Sequence, residues 1–305
     1  MTAQTVDALP GAPRTRAAST GRMRKRRDAG TRRPSDLLLL VPLFIVLALI
    51  VFPVFWMIFT SLRPERALTG ALEWGTVFDG LGFDSYRRLF AGSNFGLYIV
   101  NSLVVALVST AITVVIASVA AYALSRFRFR FRGPVLLAVV ATQLLPFVVL
   151  ITPIYLVFSQ LGLLNSYVGL TVVYVAMTLP LAIYLMMGYF NTIPHGLDEA
   201  ARIDGCSTVS VIFRVIMPIA WPGIVTVTVT SFIASWEEFL FAGVLMTDET
   251  KKTVQVGLSG FFGEYATDWG VVMAASVVAA VPTIVLFTTI QKRLVAGMAA
   301  GSVKE

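Results

Sequence analysis

Six long apolar runs alternate with shorter polar stretches along the chain, near residues 37–62, 95–124, 134–158, 167–190, 219–246 and 270–291. A helix that crosses a bilayer needs about 20 predominantly apolar residues, so the pattern predicts six transmembrane helices in an all-α polytopic membrane protein. No formal charge lies between Arg132 and Asp198, yet Ser159-Gln160-Leu161-Gly162-Leu163-Leu164-Asn165-Ser166 carries the turn chemistry that splits this region into two helices. Between the fourth and fifth runs lies Glu199-Ala200-Ala201-Arg202-Ile203-Asp204-Gly205, followed by Phe213 and Met217-Pro218. A bilayer expels such a passage and has no use for it, so it is expected to serve a partner on one face of the membrane.

Local chemistry predicts a capped helix there. Pro194 suits a helix start, because its missing N–H would be unpaired there anyway. Asp198 and Glu199 then fall in or near the first turn, where negative charge complements the helix dipole, and Arg202 lies on their face three and four residues later. Ala200 and Ala201 present almost no bulk to an approaching surface. Gly205 can take the left-handed conformation that ends a helix, and Ser207 or Thr208 can cap a second one. A helix of roughly ten residues is marginal alone in water, so it must lean on something. A polar connector with good capping is the plainer reading of these residues alone.

Composition agrees with a lipid environment. Apolar residues make up 57% of the 305 positions and charged ones 13%, against about 45–50% and about 25% in soluble domains; mean hydropathy is +0.81. The one cysteine, Cys206, cannot form an internal disulfide, and the one histidine, His195, cannot build a metal cage; His195 reads as a solvated loop residue. The basic pI of 9.8 comes from Lys and Arg clustered beside apolar runs, which speaks for membrane orientation and against nucleic-acid binding. Residues 1–36 hold nine of these cations and few large apolar groups, predicting a disordered basic tail. The run that follows exceeds the about 7–15 residues of a signal-peptide core, so it reads as an uncleaved first span. Lys and Arg favour cytoplasmic loops. With the N-terminus inside, 18 face the cytoplasm and six face outward, which predicts cytoplasmic termini and a cytoplasmic Glu199 loop.

The passage Glu199-Ala200-Ala201, Asp204-Gly205-Cys206, Phe213, Met217-Pro218 resembles the signature loop of permease subunits from binding-protein-dependent ABC importers. That pattern runs Glu-Ala-Ala, two variable residues, Asp-Gly-Ala, then Phe and Leu-Pro; here Cys206 replaces Ala and Met217 replaces Leu. The likeness covers most of the chain. Asn101-Ser102-Leu103, Ala120-Ala121-Tyr122-Ala123-Leu124-Ser125-Arg126, Leu161-Gly162-Leu163-Leu164-Asn165-Ser166-Tyr167 and Trp236-Glu237-Glu238-Phe239-Leu240-Phe241 look like carbohydrate importer permeases, the smaller membrane subunit of the maltose importer being the nearest type. The resemblance implies the type I ABC importer permease fold, with a permease domain over 37–305, a family core of about 95–291 and a coupling loop over 191–218. It also implies a homologous permease partner, two cytoplasmic ATPase subunits, an extracytoplasmic sugar-binding protein and the multi-pass membrane setting of a prokaryote. In that frame Glu199, Ala200, Ala201, Asp204, Gly205, Phe213 and Pro218 form the ATPase-coupling loop. The chain has no Gly-Lys pair and hence no phosphate loop of the Gly-x-x-x-x-Gly-Lys-Ser/Thr kind; ATP belongs to the partners, and neither a catalytic residue nor a cofactor is expected here.

The expected substrate path involves Trp236, Glu237 and Glu238. At about 1.5 Å per residue these lie near mid-bilayer, where an ionisable group is a functional-site hypothesis by default. The family pattern has Asn then Glu, so Glu238 matches and Glu237 departs. Trp236 can stack on a sugar face. A helix shifted outward, with the carboxylates among headgroups and Trp236 in an aromatic belt, is the alternative. Asn101, Gln143 and Asn165 read as interhelical hydrogen-bonders. Prolines at 42, 53, 146, 153, 180, 218, 222 and 282 are expected to break or kink helices. Gly257-x-x-Gly260-x-x-Gly263 reads as an outer-loop contact to a binding protein. Importers for other solutes and self-contained secondary transporters are the competing functions. No Lys or Arg lies inside a span to receive a phosphorylated cargo, and no matching halves are visible.

Overall fold

The structure is a computed structural model that describes residues 34–69, 78–262 and 267–301. The chain divides into two compact units, Met1–Val51 and Phe52–Glu305. The described part of the first unit is helical: helix α1 spans Pro34–Ser61, starting at a proline in the helix's first turn, within the stretch assigned to the tail. Its residues from Leu40 to Val51 are apolar and exposed around the whole circumference, as a helix bathed in lipid requires.

In the second unit the described helices are α2 (Glu65–Thr69), α3 (Asp84–Gly92), α4 (Phe95–Arg126), α5 (Arg132–Thr142), α6 (Phe147–Gln160), α7 (Tyr167–Thr192) and α8 (Gly196–Ile203). There follow α9 (Thr208–Ser210), a π-helical stretch over Val211–Ile216, α10 (Met217–Ile219), α11 (Trp221–Trp236), α12 (Leu240–Leu245), α13 (Val254–Ser259) and α14 (Trp269–Gly301). Among the described residues, four helical stretches are long and apolar enough to cross a membrane, and counting each of two bent pairs as one span raises the number to six. The six-span expectation therefore holds in number but not in form. The third span is not continuous: α5 and α6 meet at 95°, because Pro146 lacks an N–H and pushes Leu145 out of the helical region. The fifth begins with an 83° bend between Ile219 and Trp221, beside Pro218 and Pro222, and breaks again at Glu237–Phe239. By contrast Pro153, Pro180 and Pro282 sit inside uninterrupted helices.

Helix α4 organises the core. Ser102, Ala106, Ser109, Thr113, Ala117, Ala121 and Ser125 recur at helical spacing on its buried face, so α7 and α11 can approach closely. Hydroxyls knit the seam: Ser109 Oγ donates to Ser235 Oγ at 3.1 Å, and Thr113 pairs with Thr178 at 2.9 Å. The 159–166 stretch turns as its residues predict. Gly162 at φ +67° ends α6, with its N–H on Ser159 O at 3.3 Å and the Leu163 N–H on Phe158 O at 2.8 Å. Ser166 then caps α7 by accepting from the Gly169 N–H.

Asn101 and Asn165 both make tertiary hydrogen bonds. Asn101 donates to the carbonyls of Thr250 and Lys252, each at 3.0 Å, and accepts from Tyr167 at 2.9 Å. Asn165 accepts from the Asp248 N–H at 2.8 Å. Gln143 instead lines a cavity. Gly263 of the three-glycine spacing lies outside the described residues, and Gly257 and Gly260 lie at α13.

Candidate coupling loop and transport path

The polar passage after α7 folds into two caps joined by one glycine. Helix α8 begins at Gly196, two residues after Pro194. It ends where Gly205 takes φ +84°. There the Gly205 N–H donates to Arg202 O and the Cys206 N–H to Ala201 O, both at 3.0 Å, the paired closure of a left-handed C-terminal cap. Ser207 accepts from the Ser210 N–H at 3.3 Å and starts the next helical stretch.

The two faces of α8 do different work. Ala201 and Asp198 point inward, whereas Glu199, Ala200, Asp204 and Gly205 are exposed. Ile203 is 86% exposed, and Val209 and Phe213 are exposed beside it. Pro218 is exposed as well. A groove of about 560 Å³ runs between Asp204 and Arg214, with Cys206 and Phe213 in its wall. Three large apolar side chains, Ile203, Val209 and Phe213, thus face outward on the double cap.

Asp198 anchors this surface, and not through Arg202 as spacing along one helix predicts. It is only 6% exposed. Tyr122 Oη donates to its Oδ1 at 2.7 Å, and Arg126 Nε lies 3.1 Å from its Oδ2. Arg126 Nη2 also donates to Ile193 O at 3.0 Å, so one guanidinium holds both ends of the turn into α8. Arg202 lies over the Phe127 ring, 6.0 Å from its centroid. The end of α4 and the start of α8 are thus joined by a buried ion pair.

The expected path residues separate onto three surfaces at the end of α11. Trp236 is 2% exposed; its Nε1 donates to Ala279 O at 3.0 Å and its ring stacks on Phe232. Glu237 is exposed and lines a groove of about 380 Å³ with Gln255, Ser276 and Thr283. Glu238, 9% exposed, turns the other way. Its Oε1 accepts from the Phe241 N–H at 2.8 Å and its Oε2 from the Ala242 N–H at 3.0 Å. A carboxylate at a helix N-terminus is favoured by both the free N–H groups and the dipole, so Glu238 caps α12 and fixes the break. It also borders a cavity of about 190 Å³ shared with Gln143, Tyr174, Thr178, Ser231 and Ser235.

Residues 113–300 match the family described as binding-protein-dependent transport system inner membrane component. The chain belongs to that family. It is 35% identical over 254 residues, 83% of the chain and 88% of the relative, to a sulfoquinovosyl glycerol transport system permease protein of Agrobacterium fabrum. It is 33% identical over 273 residues, 88% and 96% of the two chains, to a trehalose/maltose transport system permease protein of Thermococcus litoralis. A trehalose transport system permease protein of Mycobacterium tuberculosis is 34% identical over 278 residues, 90% and 99% of the two chains. Among solved structures, a chain of a bacterial ABC transporter that imports the acidic polysaccharide alginate superposes with a TM-score of 0.73 at 24% identity, over 87% of this chain and 98% of that one; at that identity the likeness speaks for the fold. Members of this family are inner-membrane permease subunits that work with ATPase and substrate-binding partners, and coupling to the ATPase is their general role.

Sequence reasoning found the capped loop but not its anchor. Tyr122 and Arg126 lie more than 70 positions before Asp198, and nothing local announces the pairing. The sole hint is that Arg126 ends an apolar run while Asp198 opens the next charged stretch. The cavity's Tyr174 gave no signal either, being one apolar-looking residue among many in α7.

Proposed function

We propose that the chain is the membrane-spanning permease subunit of an ATP-driven sugar importer, forming half of the translocation path. In this reading it pairs with a homologous permease, rests on two cytoplasmic ATPase subunits, and receives cargo from an extracytoplasmic sugar-binding protein. Its termini and the α8 loop face the cytoplasm. ATP is bound and hydrolysed by the partners, and this chain carries neither a catalytic residue nor a cofactor. The sugar assignment draws on the relatives that carry trehalose, maltose and a sulfosugar glycoside.

The observation that carries the reading is the α8 docking surface. Glu199, Ala200, Asp204, Gly205 and Phe213 face outward on a double cap, and Asp198 ties that cap to α4. A push from an ATPase on this surface reaches α4 through the Arg126–Asp198 pair, and α4 packs on α7 and α11, which line the path. Glu238 supports the path by fixing the α11–α12 break, Glu237 by its free carboxylate in the neighbouring groove, and Trp236 by packing behind them.

The test is purification of the tagged subunit from its native membrane in mild detergent, with mass spectrometry of co-purifying proteins. A second six-span permease and an ATPase with phosphate-loop motifs are expected. A lone subunit that transports solute in proteoliposomes without ATP would contradict the reading.

A further inference from the structure

We propose that the 127–131 loop between α4 and α5, together with Arg132, is a docking site for anionic phospholipid headgroups in the leaflet on the α8 side of the membrane. The inference goes beyond the importer reading and rests on it only for calling that leaflet cytoplasmic.

Arginine and phenylalanine alternate strictly through this stretch, Arg126-Phe127-Arg128-Phe129-Arg130-Phe131-Arg132. Arg126 is engaged by Asp198 and the Ile193 carbonyl. Among the described residues no carboxylate pairs with the other three arginines, and no Asp or Glu occurs between Asp84 and Asp198. Arg128 and Arg130 are exposed. So are the three rings, Phe131 at 64%. Phe127 leaves α4 in an extended conformation, where successive side chains point to opposite sides. Cations that the chain leaves uncompensated, interleaved with exposed aromatic rings, are the composition of segments that lie in a membrane interface.

Chain length fixes the level of the loop. Only five residues separate Arg126, the end of α4, from Arg132, the start of α5. They span at most about 17 Å, and a loop tied at both ends rises no more than about half of that. A headgroup layer is about 5–8 Å thick. The chain turns apolar at Pro134, and Val135, Leu137 and Val140 are exposed on α5, so it enters hydrocarbon within about one turn of the loop. The rings thus continue a lipid-facing apolar surface, and the guanidinium groups lie level with lipid phosphates. That continuity favours lipid over an acidic protein, which would leave the α5 side of the rings wet. The excess positive charge then selects anionic headgroups over zwitterionic ones. The loop also meets the α8 anchor. The Phe127 ring packs edge-on against Tyr122, with centroids 6.1 Å apart, and lies 6.0 Å from the Arg202 guanidinium. A lipid docked here is one side chain away from the group that donates to Asp198.

The test places a reporter in the loop. The purified complex carrying Phe131→Trp is reconstituted in mixed vesicles of phosphatidylglycerol and phosphatidylcholine, with one lipid brominated at a time, and quenching of the introduced tryptophan is read as the difference from the parent complex. Phosphatidylglycerol is expected to be preferred over phosphatidylcholine. Arg128→Gln or Arg130→Gln, each added to the reporter, should lower that preference about five-fold, and Arg128→Lys should retain it. Because both arginines are exposed, these variants are expected to melt with the parent. Equal quenching by the two lipids overturns the proposal, as does a preference that survives the loss of both arginines. A reporter shielded from both brominated lipids until the ATPase subunits are stripped away overturns it in favour of a protein contact. A preparation without a second permease and an ATPase overturns the importer reading, while the lipid preference is still read on the chain itself.

Discussion

The coupling segment and the elbow cavity both lie beside α7, yet they are built in opposite ways. At α8 the residues that shape the surface are neighbours in sequence, and they face outward. Glu199, Ala200 and Gly205 lie within seven positions, closed by a glycine at φ +84° and restarted by Ser207. In the cavity the decisive groups come from three distant stretches and face inward: Gln143 from the elbow, Tyr174 from α7, Glu238 from the end of α11. A docking surface must be presented as a unit, so short-range capping suffices to make it. A cavity of this kind exists only where helices meet, and packing alone brings its groups together.

The sharpest way to break this contrast is to cut the tie between α8 and α4. Asp198→Ala leaves the Arg126 guanidinium buried without its partner, a loss of about 3–5 kcal/mol for removal of one member of a buried pair. A large fall in melting temperature of the purified complex is expected, with much of it recovered when Arg126→Met and Asp198→Leu are combined. Unchanged melting in Asp198→Ala would mean that the pair does not hold α8.

A smaller effect should separate coupling from folding. Gly205→Val forces a β-branched residue into the left-handed region at a cost of about 1–2 kcal/mol, confined to the end of α8. Membrane insertion should persist while cargo-driven ATPase activity falls, and removal of the Glu199 side chain should do the same more mildly. Loss of insertion with normal coupling in the surviving protein would reverse the assignment. On the cavity side, Glu238→Ala removes the acceptor for two backbone N–H groups; about 0.5–2 kcal/mol follows for loss of a cap. Uptake should fall without release of ATPase activity, and wild-type uptake would show that the break it fixes is not part of the path.

The smallest expected effect lies in the 248–252 turn. The Thr250 hydroxyl holds the Asp248 carboxyl below its usual range. The Lys252 ammonium, and then the Tyr98 hydroxyl, do so for Glu249. Because the folded values lie below the unfolded ones, this stability is present above the ordinary carboxylate range of about 4 and is lost as pH falls through the folded values. A slight drop in melting temperature on acidification is expected, flattened by Asp248→Asn with Glu249→Gln and untouched by Gly205→Val.

What could be read from the sequence follows the same division. The six apolar runs, the Gly162 turn, the Gly205 stop and the Ser207 cap were all legible because each depends on a few consecutive residues. The bends in the third and fifth spans were not. Pro146, Pro153 and Pro180 look alike in a sequence, but only Pro146 sits where the chain bends sharply. Helix interiors tolerate the other two because one lost hydrogen bond is cheap beside the burial of a whole span. Glu238 was legible as a carboxylate inside an apolar run but not as the cap of α12, since the break was hidden in that run. Trp236 could not be assigned a side until Ala279 was seen to accept its N–H.

The central claim is that the exposed face of α8 and its following cap, and not the membrane-buried surface, receives the ATPase. Its most direct test is photo-cross-linking in intact membranes from a benzoylphenylalanine placed at Ile203, with a second at Leu144 in the elbow as the contrast. The account predicts an ATPase adduct from position 203 and none from position 144. Adducts from 203 only to lipid or to the neighbouring permease would contradict it.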